Sequence, residues 1–343
     1  MNVPSDLRVA LVGGFGHAVS VFEEWAETRP QGLEFVGTAP AYAGEDLSGF
    51  TVHHWLAGFG AEVFPDVAAL LHETKPQVLV ISTRPDQIPV VAKTALQHGC
   101  HLILEKPIAL DRGDLRKLHA QARAAGLRVM AMFTMRSIPA LITARETIAA
   151  GMIGEPVLIN SRKSYKWGLR PEWFNQRGLY GGTWPWVGIH NLDMAWFLTG
   201  KRVLSVTASH CNLAHPMMPH CEDVATGIFE MEGGARMTVS VDLCRPESAP
   251  SHGDERIRVV GRSGVIEVDP QANTCRLSDT AGGLRDLPVG QKPGRIFTDF
   301  LATLGANDSA SDLSAFHLTD AALAARDSAD SGQTVRLDVA EFC

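Results

Sequence analysis

A doubly wound parallel α/β domain followed by an α+β domain with a mostly antiparallel sheet is the fold class that three stretches of this 343-residue sequence predict. The first is an apolar run, Leu7 to Val12, that meets Gly13-Gly14-Phe15-Gly16-His17 and then an amphipathic helix, Ala18 to Thr28. The second is Val78 to Ser82, a helix from Ile88 to His98 stopped by Gly99, and the apolar run from His101 to Leu104. Strand, helix, strand makes a βαβ unit, whose right-handed crossover lays the two strands parallel. The third is a group of β-rich runs after residue 150 with no helical periodicity between most of them. The division this predicts is a dinucleotide-binding Rossmann domain over residues 1–126 and a substrate domain over 127–343. The latter also carries the closing Rossmann strand and a linking helix within 127–150.

Taken in order, the glycine turn after the first strand lets a backbone approach a pyrophosphate at a helix N-terminus. Gly14-x-Gly16 supplies two of the three fingerprint glycines, and Val19 holds the third place. The second strand, Leu33 to Gly37, should end in an acid for NAD or near a basic residue for NADP. The segment Thr38-Ala39-Pro40-Ala41-Tyr42-Ala43-Gly44 holds neither, so NAD and NADP are not distinguished. A short helix between Asp66 and Thr74 leads into the βαβ unit. Its strands deliver Ser82-Thr83-Arg84-Pro85 and Glu105-Lys106 to the carboxyl edge of the sheet, where open α/β sheets hold ligands, and Pro107 fixes the exit direction. Asp111 caps the next helix, with Asp114 favouring its dipole, and Gly126 ends it. Leu127 to Phe133 is expected to return as a sixth strand, ending in Thr134-Met135-Arg136.

Pro139 to Ala150 reads as the linking helix. Pro156 to Lys166, Val203 to Cys211, Val224 to Met231 and Ala235 to Leu243 read as strands, the last two joined as a hairpin by Glu232-Gly233-Gly234. Ile257 to Val260 and Val265 to Val268 turn at Gly261-Arg262-Ser263-Gly264. Helices from Arg295 to Leu304 and Ala315 to Ser328 follow, with a closing strand from Val335 to Leu337. This domain is expected to cover the mouth of the first. Within it, Gly181 to Asp193 opens a helix that Gly200 closes. His190 and Asp193, three apart, share a helical face, so the carboxylate can orient the imidazole or raise its basicity.

Composition excludes several roles. A chain of this length exceeds one core, and 45% hydrophobic residues can bury two. A net charge of −7 without a long basic run argues against a nucleic-acid surface. No window reaches the apolar length of a membrane span, and Met1 to Asp6 lacks the regions of a signal peptide. Cysteines at 100, 211, 221, 244, 275 and 343 have no CxxC spacing, which fits a reduced, cytoplasmic protein. The cluster His210-Cys211, His215 and His220-Cys221-Glu222-Asp223 contains zinc-binding atoms, but its spacing closes no tetrahedral pattern. Pro216 and Pro219 mark an irregular loop there, and no metal is expected.

Glu105-Lys106-Pro107, followed by Ile108-Ala109-Leu110 and the helix from Asp111, resembles the Glu-Lys-Pro signature of the Gfo/Idh/MocA family of NAD(P)-dependent oxidoreductases. The likeness runs from the glycines near residue 13 to the tail Ser328-Ala329-Asp330-Ser331-Gly332. It implies an NAD or NADP cofactor and hydride transfer at a hydroxyl or carbonyl of a sugar, cyclitol or related polyol. It also implies a homo-oligomer, dimer or tetramer, joined through the sheet of the substrate domain. By the same resemblance Lys106 sits beside the nicotinamide and the reacting hydroxyl, His190 is the proton acceptor, and Asp193 completes the catalytic set. The implied cofactor contacts are Gly14, Phe15, Gly16, His17 and Thr38, then Ser82, Thr83, Arg84 and Pro85, then Glu105, Lys106 and Arg136. One position departs: where the family commonly has an aspartate four before the histidine, this chain has Trp186. A catalytically silent dinucleotide- or sugar-binding regulatory protein is the alternative, and retention of Lys106, His190 and Asp193 together weighs against it.

Substrate class is read from the tryptophans. Of seven, Trp167, Trp173, Trp184, Trp186 and Trp196 fall in one segment. Trp196 reads as core. Trp184 and Trp186, beside Gly181, Gly182 and Pro185, read as turn residues that can lay an indole on a sugar ring face, with Trp186 in place of the family's aspartate. Tyr165, Trp167, Trp184 and Trp186 are thus expected to line the substrate pocket with Lys106 and His190. The expected substrate presents a flat ring and is not an open-chain acid.

Overall fold

The computed structural model describes residues 6–60, 62–304 and 310–342, so nearly all of the Met1 to Asp6 segment, and Cys343, lie outside the described residues. The chain forms two compact units, Met1–Thr134 with Arg295–Phe316 and Met135–Gly294 with His317–Cys343.

The first unit contains β1 (Leu7–Gly13), α1 (Ala18–Thr28), β2 (Leu33–Ala39), α2 (Thr51–Leu56), α3 (Val67–Thr74), β3 (Val78–Ser82), α4 (Ile88–Gln97), β4 (His101–Leu104), α5 (Arg112–Ala125) and β5 (Val129–Ala131). Its sheet is parallel, in the order β2-β1-β3-β4-β5. The order reverses at β1, which lies between β2 and β3, and that switch point opens a crevice at the carboxyl ends of the strands. All five residues of β3 are buried, as expected of a parallel strand covered on both faces.

Two sequence expectations change here. The sheet has five strands, so the run from Leu127 closes it as the fifth and not a sixth. Only Val129–Ala131 remains strand, because a 3₁₀ turn begins at Thr134. The linear cut at residue 126 also fails. Leu102 N–H donates to Arg128 O and Met132 N–H to Leu104 O, both at 2.8 Å, which ties residues 127–134 to the first unit.

Residues 295–316 return to the first unit as well, for a reason that spans the chain. Phe297 joins Phe22, Trp25, Phe35 and Phe59 in an aromatic cluster, with Trp25 and Phe297 centroids 5.7 Å apart. At the start of that segment's helix (Phe297–Thr303), Glu24 accepts the N–H groups of Ile296, Phe297 and Thr298 at 2.8, 3.0 and 2.8 Å. A side chain of α1 thus caps a helix more than half the chain away, satisfying donors that the helix itself cannot.

The second unit contains α6 (Pro139–Ala149), β6 (Pro156–Lys166), α7 (Arg177–Tyr180), α8 (Ile189–Thr199), β7 (Val203–Cys211), β8 (Val224–Met231), β9 (Arg236–Arg245), β10 (Gly253–Gly261), β11 (Gly264–Asp269), β12 (Thr274–Asp279), β13 (Gly283–Asp286) and β14 (Val335–Arg336). The helix Phe297–Thr303 is α9. The long helix α10 (Ala310–Ser331) carries the chain from the first unit into the second. The nine-stranded sheet runs β13-β12-β11-β10-β6-β9-β8-β7-β14, antiparallel except where β6 meets β9. That pair can be parallel because helices α7 and α8 intervene after β6 and supply the crossover length. Along β9, Met237, Val239, Val241 and Leu243 face inward and alternate with outward polar residues. Helix α8 packs on β6, which places His190 and Asp193 against the buried face.

Glu24→Ala should lower stability by about 2 kcal/mol, since it strands three helix N–H groups. Denaturant midpoints compare the two proteins, and an unchanged midpoint would remove the cap from the account.

Candidate active site

The glycine turn is built by close approach of other parts of the first unit. Gly14 and Phe15 N–H groups both donate to Ser82 O, at 2.6 and 2.8 Å, and Ser82 Oγ donates to Phe15 O at 2.7 Å. A Cβ at Gly16, whose φ is +103°, would fall on the Glu105 carboxylate, and one at Gly14 would lie 2.8 Å from the Phe50 ring. His53 Nε2 lies 3.0 Å from Gly13 O. Phe50 and His53 escaped the sequence reading because α2 shows too little apolar periodicity to stand out.

Glu105 closes the other side. Its side chain has no exposed surface, and its Oε2 accepts the His17 N–H at 2.6 Å. Its carboxylate also meets His17 Nδ1 at 3.0 Å, while Oε1 accepts the Lys106 N–H at 3.0 Å and lies 3.9 Å from Lys106 Nζ. Burial alone would push this carboxyl up; His17 and Lys106 outweigh it and hold it below the ordinary carboxylate value. Lys106 is itself only 2% exposed, so its ammonium is delivered to the carboxyl edge by a buried counter-charge.

The edge near β2 is organised by a residue that the sequence reading passed over. Glu45 Oε1 accepts from Thr83 Oγ1 and Oε2 from the Ala41 N–H, each at 2.6 Å. Burial pushes its carboxyl up, opposed by those two bonds. Thr38 is buried in β2, and its hydroxyl has no partner among the described residues. Arg84 is engaged within its own turn, with Nε 2.5 Å and Nη2 2.9 Å from Asp86 and its guanidinium 4.6 Å over the Tyr42 ring. The first unit fits a phosphate-bearing dinucleotide on two further observations: α1 has no capping side chain and no acid in its first turn. Ser20 N–H is taken by His17 O at 2.9 Å, and the helix brings no carboxylate of its own to the turn.

In the second unit His190 and Asp193 are both buried on α8. The Asp193 carboxylate is held by Arg136. Nε and Nη2 of Arg136 lie 2.7 and 2.6 Å from Asp193 Oδ1. Burial pushes the Asp193 carboxyl up, with Arg136 and Lys163 opposing. Its Oδ2 is buried without a hydrogen-bond partner among the described residues. Lys163, also missed by the sequence reading, is 2% exposed on β6, with Nζ 3.2 Å from Glu255 Oε1 and 4.9 Å over the Tyr165 ring. A lone lysine in a strand pattern gives no signal of burial.

The aromatic expectations divide. Trp184 to Gly188 forms a π-helical turn, not an open loop, and Trp184 is wholly buried against Phe229. Its indole lies on Gly188, where a Cβ would meet Trp184 Cε3, so Trp184 belongs to the core and cannot serve as a pocket wall. Trp186 is half-buried, with its ring edge-on to Phe174 and Trp173. One face of Trp167 is stacked on His215, centroids 3.8 Å apart, and Arg170 lies 4.9 Å over the ring. Tyr165 is tilted against His252 at 4.9 Å.

The histidine and cysteine cluster closes a loop. Asp223 accepts the N–H groups of Leu213, Ala214 and His215 at 2.9, 2.6 and 2.8 Å, and His215 Nδ1 lies 3.1 Å away. Cys244 is the third member of this group. His210 pairs with Asp330, and Glu222 with Tyr180, Thr183 and Arg177, while His215, Asp223 and Cys244 bring their ring-nitrogen, carboxylate and thiol atoms within 4.8 Å of one another.

Comparison with known proteins gives two family profiles. One, the oxidoreductase family with an NAD-binding Rossmann fold, matches residues 7–133, and the other, the GFO/IDH/MocA C-terminal domain, matches residues 141–267. A structure from Thermotoga maritima described as an oxidoreductase is 34% identical, with a TM-score of 0.89, covering 96% of this chain and 100% of that one. A levoglucosan dehydrogenase in complex with NADH and L-sorbose has the same fold at 18% identity, with a TM-score of 0.83 over 98% of this chain and 100% of that one. Inositol 2-dehydrogenase 2 of Saccharopolyspora erythraea is 24% identical over 233 residues, 68% of this chain and 65% of that protein. The match therefore spans slightly less than two thirds of that relative.

Because Glu105 lies below its ordinary value in the folded protein, it contributes stability above about pH 4.5 that is lost as pH falls through its folded value. Glu105→Gln should lower the melting temperature at neutral pH and flatten its decline below about pH 4.5. A variant whose acid decline matches that of the wild type would contradict this.

Proposed function

Because the chain belongs to the Gfo/Idh/MocA family of oxidoreductases, with an NAD-binding Rossmann fold, we propose that it moves a hydride between nicotinamide and a hydroxyl or carbonyl carbon of a sugar, cyclitol or related polyol. The observation that carries the reading is the buried Glu105–Lys106 pair at the end of β4, which sets an ammonium at the edge where this fold binds ligands. When bound, the nicotinamide supplies the hydride acceptor or donor. In the oxidative direction His190 accepts the hydroxyl proton, and the Lys106 ammonium stabilises the developing alkoxide. Reduction reverses both roles.

Asp193 is a positioning residue in this reading. Arg136 fixes one of its oxygens, and the other is a buried acceptor that a substrate hydroxyl or the imidazole can use. A cyclic substrate is favoured by Trp186, whose indole is half-buried where that of Trp184 is wholly buried. The named activities of the relatives, on inositol and on levoglucosan, support a ring-shaped polyol. Free cysteines at 100, 211, 221, 244 and 275 support a reducing, cytoplasmic setting. Among the described residues no helix is long and apolar enough to cross a membrane. The outer face of the nine-stranded sheet, where Arg258 and Arg276 flank Glu267 and Ile228 is 60% exposed, supports pairing of copies as a dimer or tetramer.

The test is a panel of inositols, pyranosides and open-chain hydroxy acids with NAD+, read by reduced-nicotinamide absorbance, with light scattering on the same samples for subunit count. Ring polyols should turn over. Lys106→Met and His190→Ala should each lower turnover about 10²-fold while NAD+ still binds, and Trp186→Ala should raise KM. Turnover confined to open-chain acids, or a variant with wild-type turnover, would withdraw the corresponding role.

A further inference from the structure

The strand that should end in a cofactor-reading acid ends without one, yet a carboxylate reaches the same edge from further along the chain. β2 stops at Ala39, and Glu45 comes six residues later. Two bonds aim it: Thr83, just past the end of β3, donates its hydroxyl to Oε1, and the Ala41 N–H, just past β2, donates to Oε2. The carboxylate thus bridges the loops after β2 and β3, the strands flanking β1 at the switch point. A carboxylate has about four lone-pair positions. Two are used here, and two remain for hydroxyl donors. The hydroxyl of Thr38, the residue before the last of β2, is a second, independent sign of a missing polar partner, since it is 1% exposed and unpartnered among the described residues.

The charge at this edge is also one-sided. Arg84, the basic residue of the β3 turn, is bound by Asp86 through two contacts and lies over Tyr42, so its guanidinium is already neutralised. Glu45 and Asp86 together outnumber it. A ribose diol can donate to Glu45, whereas a 2′-phosphate would add about two negative charges to an edge where Glu45 and Asp86 already outnumber Arg84.

The structure assigns Glu45 as the residue that selects NAD over NADP, by accepting the adenosine ribose hydroxyls and repelling a 2′-phosphate. This rests on the nicotinamide-cofactor reading above. It places the deciding acid in the loop after β2 and not at the strand's end.

Calorimetric or fluorescence titration of the full-length protein with NAD+ and NADP+, and with their reduced forms, gives the ratio of the two dissociation constants without any turnover. Wild type should bind the NAD pair at least about tenfold more tightly than the NADP pair, and Glu45→Gln should bring the ratio close to one. General damage to the loop would weaken both cofactors and leave the ratio unchanged, so the ratio isolates recognition. If Glu45→Gln does not fold, Glu45→Asp serves: its charge remains but its reach shortens, so NAD+ affinity should fall while NADP+ binding stays weak. Equal wild-type affinities, a preference for NADP+, or a ratio that survives Glu45→Gln would overturn the assignment. Failure of wild type to bind either dinucleotide would instead overturn the cofactor reading, and Glu45's role with it.

Discussion

The buried carboxylate of Glu105 is the constraint on which the first unit turns. Removing an ionised carboxyl from water costs several kcal/mol unless it is paired and fully hydrogen-bonded. This one is satisfied by the His17 N–H, the His17 imidazole and the Lys106 N–H, groups that come from the glycine turn and from the end of β4. Because the carboxylate cannot be left unpaired, the two segments are fixed to each other. Gly16 follows from this, since any side chain there would occupy the space of the carboxylate. A glycine that looks like a phosphate contact in the sequence is thus first a contact for Glu105. Holding the turn is what fixes the start of α1, whose N-cap residue His17 donates its N–H to the same carboxylate.

The second unit solves a related problem with alternating charges. Arg136 holds Asp193, Glu255 holds Lys163, and Lys163 is close enough to Asp193 to act on its ionisation. Such buried pairs add little to stability compared with an apolar core of the same volume. Their presence beside Asp193, on the helix that carries His190, fits the role proposed for that helix. The arrangement keeps a carboxylate oxygen, Asp193 Oδ2, available inside a largely apolar unit.

Much of this was legible in the sequence because it depends on period and position. The βαβ unit from Val78 to Leu104 and the strands Pro156–Lys166, Val203–Cys211 and Val224–Met231 appear where the apolar patterns put them. Strands β12 and β13 did not, because Cys275 and Leu277 are too few inward residues to mark a strand against polar neighbours. The return of residues 295–316 to the first unit was equally hidden. It depends on Glu24 and Trp25 meeting a helix some 270 positions later, which no local window can register. Trp184 was misread because glycines around it suggested an exposed turn, when Gly188 is there to let the indole lie on the backbone. Glu45 was invisible since its role comes from a loop conformation that brings it back beside Thr83.

The Glu105 contacts fix the glycine turn in one form, so affinity for a dinucleotide is expected to depend on a carboxylate with no exposed surface. The most direct measurement is the NAD+ dissociation constant of Glu105→Gln beside that of wild type, by calorimetry at neutral pH on samples shown to be folded. A preorganised turn should lose about tenfold or more in affinity when the carboxylate is replaced. An unchanged dissociation constant in a folded variant would contradict the account.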